Sequence, residues 1–216
     1  MNFNFDNKFI NGLGKLVDCV WLSILWFLCC IPIVTIGTSS TALYYTVHKS
    51  VRGNRGYTTR TFFSAFKDNF KQSILSYLVW LVVMVILVID MLVTREVLKT
   101  GSSMGMFFYF FIVVLVFATI WGVYLFAYVA RFQNTVKATL KNAILLELRH
   151  LPWSLLIAVI IAAAYLIIWF VPMFLLILPA VVFLLFDLIL ERIFRMYMTP
   201  EDLEKEIEND KIDEMN

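Results

Sequence analysis

Charged residues are so unevenly spaced that they divide the chain into segments. No Asp, Glu, Lys, Arg or His occurs in the 29 residues from Cys19 to Val47, the 18 from Gln72 to Ile89, the 31 from Thr100 to Ala130, or the 36 from Leu151 to Phe186. A helix needs roughly 20 apolar residues to cross a hydrocarbon core of about 30 Å. Each run is continuously apolar, whereas the strands of a membrane barrel alternate, so strands are excluded. Helices and closed barrels alone satisfy a backbone in lipid. The pattern therefore predicts an all-α fold, a polytopic transmembrane helical bundle.

The fourth run is long enough for two spans. Pro152 suits a helix start, because a first-turn proline loses no hydrogen bond. Pro172 marks a tight hairpin, and Pro179 then kinks the last helix. The rival is one long bent helix. Counting two spans gives about five: 16–36, 72–94, 104–130, 152–170 and 173–194. The first run breaks its own pattern at Pro32–Gly37, followed by Thr38-Ser39-Ser40-Thr41. Pro and Gly this close break or kink a helix, and hydroxyls can satisfy the freed carbonyls. Two readings stand: a broken helix lining a cavity, as in transporters, or a helix end followed by a second helix over Ser39–Lys49.

Lys and Arg set the expected orientation. The 48–71 loop holds six of them and the 131–150 loop four, while the 95–103 loop holds two. Loops one and three are therefore expected in the cytoplasm. Five spans then put the C-terminus inside and the N-terminus outside. The first apolar run has no A-x-A-like cleavage site and is not read as a removed signal peptide.

Both basic loops carry amphipathic helices. Phe62, Phe63, Phe66 and Phe70 share one face, bordered by Arg60, Lys67 and Lys71. That face suits a headgroup layer, a partner subunit, or a plain lead-in to the second span. Val136, Leu140, Ile144 and Leu148 recur every four residues, with Lys137, Lys141 and Asn142 elsewhere. The bland account of this stripe is packing on the protein's own cytoplasmic surface. The chain divides into a helical domain, 1–198, and an acidic cytoplasmic tail, 199–216, which opens on the helix-start pattern Thr199-Pro200-Glu201-Asp202. The tail has eight acids and two lysines, net −6; the remainder has sixteen basic residues and eight acids, net +8. The tail either folds onto the basic loops, touches a basic partner, or is solvated.

Composition agrees: 61% of the 216 residues are hydrophobic and 16% charged, against about 45–50% and about 25% in soluble domains. That excludes an ordinary soluble enzyme, and disorder with it. Nucleic-acid binding has no support, since the basic residues are those that topology requires.

Chemistry is sparse. Cys19, Cys29 and Cys30 form no C-x-x-C pair and read as buried apolar residues. Glu147 and His150 have the spacing of one bundle metal-ligand pair, but a di-metal site needs two. Asp187 lies within an apolar segment, where an ionisable group is a functional hypothesis by default. Its rival is a boundary salt-bridge cluster with Glu191, drawing in Arg131 or Arg149, with Glu191 and Arg195 paired at i, i+4. No Walker A loop, G-x-S-x-G or H-E-x-x-H occurs, so no ATPase, serine hydrolase or zinc protease is indicated. No catalytic residue, cofactor site or metal site is expected, and the protein is read as not an enzyme.

The run Cys30-Ile31-Pro32-Ile33-Val34-Thr35-Ile36-Gly37 with Ala42-Leu43-Tyr44-Tyr45 resembles the hallmark of YesL-like bacterial integral membrane proteins, a family of unknown function. Phe62-Phe63 with Phe66-Lys67-Asp68-Asn69-Phe70-Lys71 resembles them too, as does Arg131-Phe132 with Lys141-Asn142-Ala143 and the Leu-Arg-His-Leu-Pro run of 148–152. The likeness spans roughly residues 10–195. It supplies no catalytic residues. Because members are often encoded beside carbohydrate ABC-transporter permeases, it implies an accessory, non-enzymatic subunit of a carbohydrate ABC importer in the bacterial cytoplasmic membrane. Its expected partners are the lipid bilayer and the sugar permease subunits. Pro32, Thr35, Gly37, Phe62, Phe63, Phe66, Asn69, Phe70, Arg131 and Asn142 are the candidate motif or contact residues. The alternatives are a small-solute transporter or channel lined by the broken first helix, and an unrecognised membrane enzyme. A permeation path would place Thr35, Thr38, Ser39 and Ser40 on a polar cavity; an accessory subunit would pack them dry.

Overall fold

The computed structural model describes residues 4–53, 56–198 and 204, with side chains from Gly12 onward. The described residues form eight α-helices and no strand. α1 (Asn4–Cys30), α4 (Phe70–Lys99), α5 (Phe107–Arg131) with the 3-10 turn before it (Ser103–Met106), and α7 (Leu151–Phe170) hold the four segments long and apolar enough to cross a membrane: Gly12–Cys30, Phe70–Lys99, Ser103–Arg131 and Leu151–Phe170. The fifth predicted span is α8 (Leu178–Phe194), which is 17 residues long. At about 1.5 Å per residue it falls short of a full crossing.

The break after α1 is a helix end followed by a second helix. Cys30 is the last residue of α1, and Ile33–Thr35 make a single 3-10 turn. Pro32 bars the helix from continuing. Thr35 Oγ1 lies 2.7 Å from the carbonyl oxygens of both Cys29 and Pro32 and shares its one hydroxyl hydrogen between them, so the hydroxyl stands in for a lost backbone partner. α2 (Ile36–Thr46) then returns along α1. Trp26 Nε1 donates to Ser40 Oγ at 3.2 Å, and Cys19, Leu22 and Leu25 pack with Ala42, Leu43 and Val47.

α2 is the innermost helix, buried from Gly37 through Tyr44, and it packs on α1, α3 (Thr58–Asp68), α4, α5 and α8. Its small residues allow this, since small side chains let membrane helices approach closely. At Gly37 a methyl group would lie 2.4 Å from Tyr77 Cβ. Gly122 on α5 similarly admits the Trp80 indole, which donates to the Ala118 carbonyl at 2.8 Å.

Three local expectations need correction. Pro179 sits in the first turn of α8 and introduces no kink; the preceding break is a 3-10 turn over Pro172–Leu176. Phe70 is not on the Phe62–Phe66 helix. α3 stops at Asp68 because Asn69 turns its side chain back onto the Ala65 carbonyl at 3.0 Å, the local competition that asparagine offers a helix backbone. Phe62 is therefore buried and Phe66 half-buried, while Phe63 and Phe70 are exposed. Third, the stripe on α6 (Val136–Arg149) packs on the protein only in its first half, where Leu140 lies against the core and Val136 is half-buried. The buried positions are Thr139, Ala143, Leu146 and Glu147, and Ile144 and Leu148 face outward. The predicted helix start at Thr199 and the tail lie outside the described residues, apart from Glu204.

Candidate functional site

α2 runs without interruption into a π-helical turn, Val47–Arg52, a rare geometry that concentrates at functional sites. The turn brings His48 and Arg52 to Asp187 on α8. Arg52 Nη1 donates to Asp187 Oδ2 at 2.7 Å, and His48 Nδ1 lies 2.7 Å from Asp187 Oδ1. One turn along α8, Glu191 takes Arg131 from the end of α5. Arg131 Nη2 donates to Glu191 Oε2 at 3.1 Å, and Arg131 Nε lies 2.8 Å from Oε1, an ion pair that meets both carboxylate oxygens. Tyr44 Oη donates to Glu191 Oε1 at 3.3 Å, and His48 Nδ1 is 3.8 Å from that oxygen.

Asp187 is 0% and Glu191 1% exposed. Isolated carboxylates could not be buried this deeply. Two arginines neutralise two carboxylates, and the cluster ties α2, the π turn, α5 and α8 together. The salt-bridge reading of Asp187 thus holds, with Arg131 in it. Arg195 is exposed, whereas Glu191 turns inward to Arg131; burial favours the partner that can be reached without solvent. His48, Arg52 and Tyr44 were missed by sequence reasoning. Their signal was the i, i+4 spacing of His48 and Arg52 directly after an apolar run, together with an intramembrane acid that needed a cation.

His48 and one carboxylate oxygen each from Asp187 and Glu191 fall within 4.8 Å of one another. Nitrogen and carboxylate donors suit zinc and its neighbours. Arg52 and Arg131 already hold these carboxylates, and a divalent ion would have to displace or repel them in a buried site.

The candidate contact residues are scattered. Gly37 packs on Tyr77 and Phe126, and Phe62 lies in the core between α1, α2 and α3. Arg131 belongs to the ion-pair cluster. Asn142 and Asn134 both donate to Tyr128 Oη, at 2.9 and 3.0 Å, which staples α6 and its lead-in to α5. Pro32, Phe63 and Phe70 are on the surface. Thr38, Ser39, Ser40 and Thr41 are 0–4% exposed, and Thr35 is half-buried, engaged with the carbonyls at the α1 end. On α6, Glu147 is buried with no hydrogen-bond partner for Oε1 among the described residues, and burial pushes its carboxyl up to about 7. His150 does not join it; its Nε2 lies 3.1 Å from Tyr197 Oη.

No curated protein and no solved structure matches the chain. Residues 19–91 match the family described as a protein of unknown function, DUF624; this third of the chain contains the Pro32–Gly37 break, α2, and the His48 and Arg52 arm of the ion-pair cluster.

Proposed function

We propose that the protein is a non-enzymatic integral membrane subunit that binds and steadies a partner complex. The observation that carries this reading is the dry packing of α2: Thr38, Ser39, Ser40 and Thr41 are buried between helices. Thr41 Oγ1 donates back to the Gly37 carbonyl, Ser40 Oγ accepts from Trp26, and Ser73 Oγ donates to Thr41. The neutral, cross-braced cluster at Asp187 and Glu191 also suits a scaffold. That the partner is a carbohydrate ABC importer of a bacterial cytoplasmic membrane rests on the resemblance to YesL-like proteins and on nothing in the geometry.

The basic loops and the C-terminal end of α8 face the cytoplasm in this reading. The return of α2 along α1 adds the N-terminus to the same side, in place of the outside position expected from five spans. Thr58 Oγ1 donates to Asp18 at 3.2 Å and Trp21 Nε1 to Thr59 Oγ1 at 2.8 Å, so loop one meets α1 near its middle.

A transporter or channel is the second reading. It is favoured by Thr38 Oγ1, Ser50 Oγ and Ser76 Oγ, which are buried and meet no hydrogen-bond partner among the described residues; a hydrated path would satisfy them. Cysteine accessibility separates the two. With Cys19, Cys29 and Cys30 replaced by alanine, Thr38→Cys and Ser76→Cys should resist a membrane-impermeant thiol reagent from either side. Rapid labelling of both would favour a path and sink the scaffold reading.

A further inference from the structure

The outward face of α6 is the least expected surface on the molecule. A helix lying on a protein in water turns its polar side out. α6 buries the polar Thr139 and Glu147 along with Ala143 and Leu146, and exposes Ile144 (38%), Leu145 (51%) and Leu148 (54%). Exposed apolar residues do not end with the helix. Leu151 and Leu155, also exposed, follow on α7, one of the four helices able to cross a membrane. Exposed apolar residues thus follow one another along the chain on both sides of the Arg149–His150 junction, from a helix too polar to span into one that can.

Basic residues border the strip. Lys137, Lys141 and Arg149 on α6 are exposed, and so are Lys67 and Lys71 at the α3–α4 junction. The two groups belong to one surface, because Gln72 Nε2 donates to Thr139 Oγ1 at 3.0 Å, joining α4 to α6. Amphipathic helices with this arrangement lie at the acyl–headgroup boundary, and basic residues there attract anionic headgroups.

We propose that α6 lies in the plane of the membrane surface, with Ile144, Leu145 and Leu148 among the acyl chains, and that Lys67, Lys71, Lys137, Lys141 and Arg149 form a binding rim for anionic phospholipid headgroups. Lipid is the occupant because the exposed apolar residues follow on along the chain into α7, a helix able to cross a membrane, and because the rim is positive. The acidic tail offers charge for the rim but no apolar run for the leucines. The inference concerns the membrane surface and is independent of any transport partner.

The test uses the full chain in nanodiscs of phosphatidylcholine with or without phosphatidylglycerol. An environment-sensitive dye on Leu148→Cys, with the three native cysteines replaced by alanine, should emit as in an apolar medium and be quenched by lipids brominated near the headgroup. In native mass spectrometry, K137Q/K141Q should cut retained phosphatidylglycerol by about fivefold per lysine removed, with retained phosphatidylcholine unchanged. Both substitutions are on the surface, and an unchanged melting temperature confirms the fold. Water-like, unquenched emission would overturn the seating of α6. Phosphatidylglycerol retention unaffected by K137Q/K141Q would overturn the rim. Dye protection that disappears on truncation at residue 198, or on dilution to the monomer, would assign the surface to the tail or to a second copy and equally overturn the proposal.

Discussion

Arg52 and Asp187 meet at 2.7 Å across 135 residues of sequence, and the arginine is 35% exposed while its carboxylate is fully buried. The neighbouring pair differs in one respect: Arg131 is 7% exposed against a Glu191 at 1%. That asymmetry ranks the consequences of breaking each pair. Removing Arg131 takes the guanidinium from a Glu191 that is 1% exposed and hydrogen-bonded by the neutral Tyr44 hydroxyl; breaking a buried pair typically costs about 3–5 kcal/mol. Removing Arg52 leaves Asp187 with His48 beside it. R131A should therefore lower the melting temperature in detergent more than R52A. The reverse order would show that the Glu191 pair is not the tighter brace.

Gly37 makes a second prediction, because its hydrogen faces Tyr77 Cβ and the Phe126 ring. Overpacking of this kind costs roughly 1–3 kcal/mol, and Tyr77 cannot swing its own Cβ away. Gly37→Ala should lower the melting temperature and Gly37→Leu should abolish folded protein on size exclusion. Normal yield and stability of Gly37→Leu would contradict the α2–α4 approach.

A third prediction concerns pH. Burial raises the Glu147 carboxyl from about 4.5 to about 7 in the folded chain. The neutral form is the one the fold tolerates, so this contribution is complete below about pH 4.5 and is lost as pH rises through 7. The melting temperature should fall between pH 5 and pH 8, and Glu147→Gln should flatten that part of the profile. An identical slope in the variant would remove Glu147 as its origin.

A fourth prediction follows from Thr35, whose hydroxyl holds two carbonyls at the end of α1. Thr35→Val keeps the shape and loses the one hydroxyl hydrogen that the two carbonyls share, at about 1 kcal/mol. Thr35→Ser should recover most of the loss in a thermal melt. Failure of serine to recover it would assign the effect to the methyl group.

The helices were legible because charge-free runs of spanning length leave little choice in lipid. The break at Pro32 and the hairpin at Pro172 were legible from proline alone. Asn69 was not: a single side-chain bond to Ala65 ends α3 and carries Phe70 onto the next helix. The period-four stripe of α6 is visible in the sequence, but periodicity does not say which of its positions pack on the protein and which, like Ile144 and Leu148, face outward. The site was half legible. Asp187, Glu191 and Arg131 stand out as charges near apolar runs. His48 and Arg52 carry only their i, i+4 spacing as a signal, and neither the π turn that aims them nor the pairing of His48 with Asp187, 139 residues away, can be read from it.

The central claim, that the chain is a partner-binding subunit, is tested most directly by purification from native membranes in a mild detergent at native expression, with mass spectrometry of the intact complex. The account predicts stoichiometric recovery of sugar ABC-transporter permease subunits. Recovery of the chain alone or only with copies of itself would contradict it.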